Sequence, residues 1–331
     1  MNTLTKRLVE AFGPPGREDP VRDLVVEEIR SNVDSWEVSP LGSLHAIVNP
    51  SGSTKVMLAA HLDEIGVIVS HIEERGFARF QFMGGVLVHT LVGHRVRFAN
   101  GAVGVIGMET LEDKAKMPKL DQLYLDFGAT SREASPVKVG DIGAFDRPFL
   151  ELGERWVAKS MDDRIGVAVL IETIKRLRRT PNQLQFAFTV QEEFGIRGAR
   201  TSAFGLMPDI ALAVDVTATG DTPRGKKMAV ELGKGPAIKV RDSGMIADPR
   251  LVDLMIRRAE QAGIPYQLEV LDAGTTDASA IQITRAGVPA GCVSIPTRYI
   301  HTPSEMVDRN DVENAVRLLL EILRKPIELK S

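Results

Sequence analysis

The sequence predicts an α/β protein: a mixed, mostly parallel sheet flanked by helices and interrupted by a small β-barrel-like domain. Three observations carry this reading. Apolar runs of strand length, Lys55–Ala60, Leu184–Val190 and Ile210–Val216, alternate with stretches whose apolar residues recur at helical spacing. Strands alternating with helices imply parallel pairing, because a parallel neighbour needs a long crossover. From about Val67 to about Leu150 the texture changes to short alternating runs between glycines, such as Phe77-Ala-Arg-Phe-Gln-Phe82 and His94-Arg-Val-Arg-Phe98, which favours a separate all-β unit. Finally, 331 residues exceed the size at which one core usually stays undivided. The expected division is an α/β domain built from residues 1–66 and 152–331, with a β-rich insertion at 67–151.

Taken in order, Leu4–Phe12 and Val21–Val33 read as helices separated by the breaker Gly13-Pro-Pro-Gly16. The run Lys55–Ala60 is a buried strand that ends at His61. After the insertion, a helical pattern returns at Asp162–Arg178. Further helical stretches fall at about Ile196–Phe204, Arg250–Ala262 and Asp308–Leu323, between the strands at 184–190 and 210–216. No internal repeat or low-complexity segment is present in the sequence.

Composition excludes several classes of partner. The net charge of −3 gives no electrostatic basis for binding nucleic acid or an anionic membrane. Cys292 is the single cysteine, so no intrachain disulfide forms, which suits a reducing cytosol. It reads as a small buried hydrophobe. Acidic residues arrive too early for a signal peptide, and no apolar run approaches the ~20 residues of a membrane span. A cytoplasmic location is expected.

The candidate functional residues stand where strands end. Glu192-Glu193 follows the apolar run Leu184–Val190. His61-Leu-Asp63 follows another. Asp162-Asp163 opens a helix, Asp215 lies within Ala211-Leu-Ala-Val-Asp-Val216, and His301 ends Ser294-Ile-Pro-Thr-Arg-Tyr-Ile-His301. In open α/β sheets ligands gather at the carboxyl ends of strands, so residues distant in sequence converge there. Buried carboxylates must be paired, protonated or bound to a cation. Two histidines among carboxylates suit a zinc-like divalent ion, and so many ligands suit two ions sharing a carboxylate. Each residue also has a plainer reading. Asp162-Asp163 alone resembles a helix N-cap, and Glu192-Glu193 alone resembles a solvated helix start. Asp215 resists such a reading, because nothing local explains a carboxylate in that run. His45, His71, His89 and His94 read as structural.

Together these blocks resemble the glutamyl-aminopeptidase/tetrahedral-aminopeptidase family of two-metal peptidases, some members of which have been labelled endoglucanases. The resemblance rests on Ala60-His-Leu-Asp-Glu-Ile-Gly66, Lys159-Ser-Met-Asp-Asp-Arg-Ile-Gly166, Gln191-Glu-Glu-Phe-Gly-Ile-Arg-Gly-Ala199, Val214-Asp-Val216 and Ile295-Pro-Thr-Arg-Tyr-Ile-His301, in family order. Gly233-Lys-Gly-Pro-Ala237 and Thr275-Thr-Asp-Ala278 are similar as well. The resemblance implies a zinc-exopeptidase-like fold and two divalent ions per subunit, zinc or cobalt, with manganese as a further option. It implies that His61 and Asp215 each bind one ion, that Glu193 and His301 bind the other, and that Asp162 bridges them. Glu192 is then the general base toward a metal-bridging water, and Asp63 orients His61. A cis peptide is expected at Asp162-Asp163. The substrates implied are peptides with a free N-terminus, and the assembly implied is dimers building a tetrahedral dodecamer, with the β-rich insertion carrying part of the contacts.

Two segments depart from the family pattern: Ser39-Pro-Leu-Gly-Ser-Leu44, where Ser39 and Gly42-Ser43 replace an aspartate and a Gly-Asn, and Met108–Leu123, which lacks a Pro-Pro-His stretch. Neither touches a proposed ligand. Competing readings are a related deacylase or carboxypeptidase of amino-acid derivatives, a glycosidase using the carboxylate pair, and a non-catalytic scaffold. Histidines beside the carboxylates favour metal over glycosidase chemistry.

Overall fold

The computed structural model describes residues 1–111, 113 and 115–329. The chain opens with α1 (Asn2–Glu10) and α2 (Asp19–Ile29), on either side of the Gly13–Gly16 breaker. A hairpin of β1 (Ser35–Val38) and β2 (Leu44–Val48) leads into β3 (Lys55–His61). Six strands follow: β4 (Gly66–Ile72), β5 (Ala78–Met83), β6 (Arg95–Phe98), β7 (Val103–Met108), β8 (Leu123–Asp126) and β9 (Ile142–Phe145). The chain then re-enters the sheet through β10 (Leu150–Leu152) and β11 (Arg155–Ala158). The remaining elements are α3 (Met161–Arg176), β12 (Gln183–Thr189), α4 (Arg197–Leu206), β13 (Ile210–Thr217), β14 (Ala237–Arg241), α5 (Pro249–Gln261), β15 (Gln267–Val270), α6 (Asp277–Gln282), β16 (Ala290–Arg298), β17 (Glu305–Asp308) and α7 (Arg309–Leu323).

Eleven strands form one sheet. Its centre, β12-β3-β13-β16, is parallel throughout. Both flanks are antiparallel: β2 and β1 beyond β12, and β17, β11 and β10 beyond β16. β14 pairs with β16 antiparallel and with β15 parallel. The flanks make the sheet more mixed than the sequence pattern suggests. β1 and β10 are exposed along their whole length, so no apolar alternation marks them.

The central strands are apolar because helices cover both faces. Leu58, Phe186 and Leu212 are fully buried, and each such side chain contributes about 1.5–3 kcal/mol over its exposed state. α3 is apolar nearly all round, over Ile165-Gly-Val-Ala-Val-Leu-Ile171, because it lies between the sheet and the outer helices α1 and α7. The outer helices carry one apolar stripe each. α7 starts at the cap Asp308, whose carboxylate accepts from Asn310 N at 2.7 Å, and α5 starts likewise at Asp248, followed by Pro249.

Strands β4 to β9 close into an antiparallel barrel in the order β4-β5-β8-β7-β6-β9. It has its own core, including Val67, Phe80, Val96, Phe98, Leu125 and Phe145. Closure between β4 and β9 needs Gly66, where a Cβ would meet the Gly143 carbonyl oxygen at 2.5 Å. Parallel register sets the working edge of the sheet. Thr189 stands opposite His61, and Ala213 opposite Ala59, so Asp215, two residues on, reaches the level of His61. No helix among the described residues is long and apolar enough to cross a membrane.

Candidate metal centre

All seven residues singled out in the sequence lie at this edge. His61 ends β3, and Asp215 lies near the end of β13. Glu192 and Glu193 occupy the turn between β12 and α4, where Gln191 at φ 55° and Gly195 at φ 101° reverse the chain. His301 follows β16 in a loop at φ 61°. Asp162 sits in the irregular start of α3, and the Asp162–Asp163 peptide is cis. The cap-like role expected of this dipeptide falls to Asp163 alone, whose carboxylate accepts from Gly166 N at 3.1 Å and from His61 N at 3.2 Å.

Asp162 is the centre of the arrangement. His61 Nε2 lies 2.9 Å from its Oδ1, and His301 Nε2 lies 3.3 Å from its Oδ2. His301 Nε2 is also 3.2 Å from Glu193 Oε1. Ligand-type atoms of His61, Asp162 and Asp215 lie within 4.8 Å of one another, and those of Asp162, Glu193 and His301 do the same. Among the described residues no other group of three such side chains forms.

Each imidazole is fixed from behind. His61 Nδ1 donates to the Asp63 carbonyl at 3.1 Å, and His301 Nδ1 donates to the Gly85 carbonyl at 3.0 Å. A carbonyl only accepts, so both Nδ1 atoms carry hydrogen and both Nε2 atoms face carboxylate oxygens. In that geometry a second proton or a cation must sit between nitrogen and oxygen. Asp63, expected to orient His61, contacts it through its backbone carbonyl rather than its carboxylate. That carboxylate lies 3.6 Å from Nδ1, and its oxygens instead accept from Glu192 N at 2.9 Å and Glu193 N at 3.0 Å. Asp63 thus ties the His61 strand end to the glutamate turn.

The electrostatics show too little positive charge. Burial raises the carboxyls of Glu192, Glu193 and Asp215, and neighbouring carboxylates, such as Asp162 beside Asp215, add to it. Asp162 is the exception: burial opposes its charge, but hydrogen bonds from His301 and His61 hold it below the usual range. Burial also opposes a charged His301, yet Glu193 and Asp162 push it up to about 12. Glu193 Oε1 receives no well-aligned hydrogen bond among the described residues; His301 Nε2, 3.2 Å away, is a charge contact rather than a directed bond.

Three supporting groups escape the residue-by-residue reading. Glu305 on β17 is buried, and its two oxygens accept from Asp162 N at 2.9 Å and His301 N at 2.8 Å, which locks the bridge to the loop histidine. Asp277 lies behind the site and accepts from Thr189 Oγ1 at 2.5 Å; burial raises its carboxyl to about 6. Its block, Thr275–Ala278, had signalled interest without a role. The barrel loop Gly84-Gly85 abuts the site, and a Cβ on Gly84 would meet Glu193 Oε2 at 2.7 Å. The paired glycines in Met83-Gly-Gly-Val were the available signal.

Elsewhere, Ser39–Ser43 forms the tight turn of the β1–β2 hairpin, and Ser43 Oγ accepts from Val190 N at 3.3 Å. The segment Met108–Leu123 leaves the end of β7 and enters β8 through a 3₁₀ turn; residues 112 and 114 within it lie outside the described residues. His45 Nε2 pairs with Ser202 Oγ at 2.8 Å. Cys292 is buried within β16.

A match to the M42 glutamyl aminopeptidase family spans residues 42–318. The lysyl aminopeptidase of Pyrococcus furiosus is 35% identical over 98% of each chain. Among solved structures, an aminopeptidase from the archaeon Desulfurococcus kamchatkensis superposes with a TM-score of 0.93 at 44% identity, covering 97% of this chain and 94% of that one. The TET1 peptidase of Pyrococcus horikoshii, which can assemble into a tetrahedron or a large octahedral shell, gives 0.87 at 32% identity over 97% and 98%. With its ligand-type side chains gathered at one sheet edge and relatives matched along nearly its whole length, the chain belongs to the M42 glutamyl aminopeptidase family.

Proposed function

We propose that the chain removes N-terminal residues from peptides with the help of two divalent cations. One would be held by His61, Asp162 and Asp215, the other by Asp162, Glu193 and His301. The supporting observation is that two imidazoles, each with its Nδ1 committed to a carbonyl, aim Nε2 at the two oxygens of one buried carboxylate. Imidazole and carboxylate donors without thiolate suit zinc, cobalt or manganese. When bound, such ions lower the pKa of a water and counter the charge that develops on the scissile carbonyl oxygen.

The residues of the chain do the rest. Glu192 lines the cleft beside the ligands, with its backbone held by the Asp63 carboxylate. It takes a proton from the attacking water and returns it to the leaving amine. The Asp63 carbonyl and the Gly85 carbonyl fix the tautomer of each histidine. Glu305 keeps Asp162 and His301 in register. The barrel, which delivers Gly85, is the part of the proposed insertion at 67–151 that meets the site. It also carries the assembly contacts in this reading, as dimers building a twelve-subunit tetrahedral shell.

Metal analysis of the full chain tests the centre. Two ions per chain are expected, and Asp162→Asn should lower occupancy of both; two ions still bound to that variant removes Asp162 as the bridge. Chelation should abolish, and zinc, cobalt or manganese restore, cleavage of aminoacyl chromogenic substrates. Preference for N-acylated amino acids over free-amine peptides would instead favour the deacylase reading. Light scattering checks the shell, and a monomer with and without metal would rule it out.

A further inference from the structure

The cleft that holds the proposed ligands measures about 480 Å³. Besides the proposed ligands and Glu192, it is lined by Ile196, Val216, Ala218, Leu271, Ala273 and Ile300, together with threonines 217, 275 and 276. Apart from the proposed ligands and Glu192, Lys239 is the only charged side chain among the described residues that line the cleft. An ammonium in a substrate pocket ordinarily selects an acidic side chain. Lys239 is already committed, however. It is fully buried, donates to Glu269 Oε1 at 2.5 Å, and lies 3.7 Å from Asp242 Oδ2. Thr217 Oγ1, on the cleft wall, donates to the same Glu269 oxygen at 2.6 Å.

Two carboxylates therefore face one ammonium, so the cluster offers no net positive charge to an acidic group. Both carboxylates lie behind the wall rather than on it, fully buried, so neither offers a contact to a basic group. An incoming charge would lose its water and gain no partner. An aliphatic side chain would lose only hydrophobic hydration and gain the apolar walls.

We infer that the pocket for the first residue of the substrate takes an uncharged aliphatic side chain, such as leucine or methionine, and rejects acidic and basic ones because Lys239 is neutralised in advance by Glu269 and Asp242. The inference rests on the aminopeptidase reading above, and the experiment separates the two. The metal-loaded full chain is assayed with leucyl, methionyl, glutamyl and lysyl p-nitroanilides. Leucyl and methionyl substrates should exceed the other two in kcat/KM by at least about tenfold. Glutamyl or lysyl turnover equal to or above leucyl overturns the inference and leaves the aminopeptidase reading standing. If none is cleaved, the aminopeptidase reading falls. Calorimetry with free leucine, glutamate and lysine then judges the pocket alone: leucine binding tightest keeps the inference, and any other order overturns it. Ala273→Arg places an unneutralised cation on an exposed stretch of the wall, so folding should be spared. It should raise the glutamyl-to-leucyl ratio by about tenfold, and an unchanged ratio in the folded variant overturns the placement of the side chain.

Discussion

Two buried charge clusters flank His61, and they are built to opposite rules. Behind it, Glu64, Lys159, Ser160 and Arg164 form a closed set. Glu64 accepts from Gly13 N at 3.0 Å, Lys159 Nζ at 2.5 Å and Ser160 Oγ at 2.5 Å. Arg164, fully buried, donates to the carbonyls of Leu62, Leu8 and Gly13 and faces Glu64 at 3.4 Å. In front of it, Asp162, Asp215, Glu192 and Glu193 crowd together with only two imidazoles for positive charge. The rear cluster spends its charges on holding the strand end to α1 and the Gly13–Gly16 loop. The front cluster holds more carboxylates than its two imidazoles compensate. Burial alone does not mark function; burial without an internal partner does.

The sharpest way to separate the clusters is to neutralise one member of each. Glu192→Gln should lower turnover by about 10²–10⁴-fold while metal content and unfolding midpoint stay as they are. Normal turnover with intact metal would end its assignment as the base. Arg164→Leu should cost about 3–5 kcal/mol of stability, read by denaturant unfolding in chelator, because it leaves the carbonyls of Leu62, Leu8, Ala11 and Gly13 short of a donor in the core and takes from Glu64 one of its two cations. A cost below about 1 kcal/mol would mean that the rear cluster is not closed as described.

Glu18 stands between the two. It is buried, has no basic hydrogen-bond partner among the described residues, and accepts from Gly16 N at 2.8 Å and Gln191 N at 3.2 Å, bracing the glutamate turn. Burial raises its carboxyl from 4.5 to about 7. A carboxyl raised on folding binds its proton more tightly in the folded chain. Its contribution is therefore fully present below about pH 4.5 and is lost as pH rises through 7. Glu18→Gln keeps both acceptor bonds and removes the titration. It should match the parent near pH 4.5 and exceed it by about 2 kcal/mol at pH 8. Parallel stability curves across this window would refute the shift.

How much of this was legible in the sequence follows from which atoms act. Asp215 announced itself because a carboxylate in Ala211–Val216 has no local reason to be there, and the parallel core announced itself through unbroken apolar strands. The paired glycines mark the Gly84-Gly85 loop, but the role of Gly85 is not legible, because it acts through its carbonyl, which every residue has. Glu305 was silent because its partners are backbone N–H groups of Asp162 and His301, the first of them brought near only by the pairing of β11 with β17. The flanking strands β1 and β10 were silent because both are short and exposed. Lys239 is equally illegible in the sequence, since its neutralisation by Glu269 depends on the parallel pairing of β14 with β15.

The smallest effect tests the open cluster directly. Asp215 is buried, faces Asp162, and its one protein hydrogen bond among the described residues is from the adjoining Val216 N at 2.7 Å. In the metal-free chain its charge is a liability, and Asp215→Asn keeps the shape while removing it. In chelator the variant should be more stable than the parent by about 1 kcal/mol, a gain visible as a raised Tm. With zinc added, the order should reverse, because the parent gains the free energy of ion binding and the variant gains less of it. The same substitution in the rear cluster, Glu64→Gln, should destabilise under both conditions, since its charge already has partners. If Asp215→Asn also destabilises the metal-free chain, the front cluster is closed by the protein itself, and the contrast between the two clusters disappears.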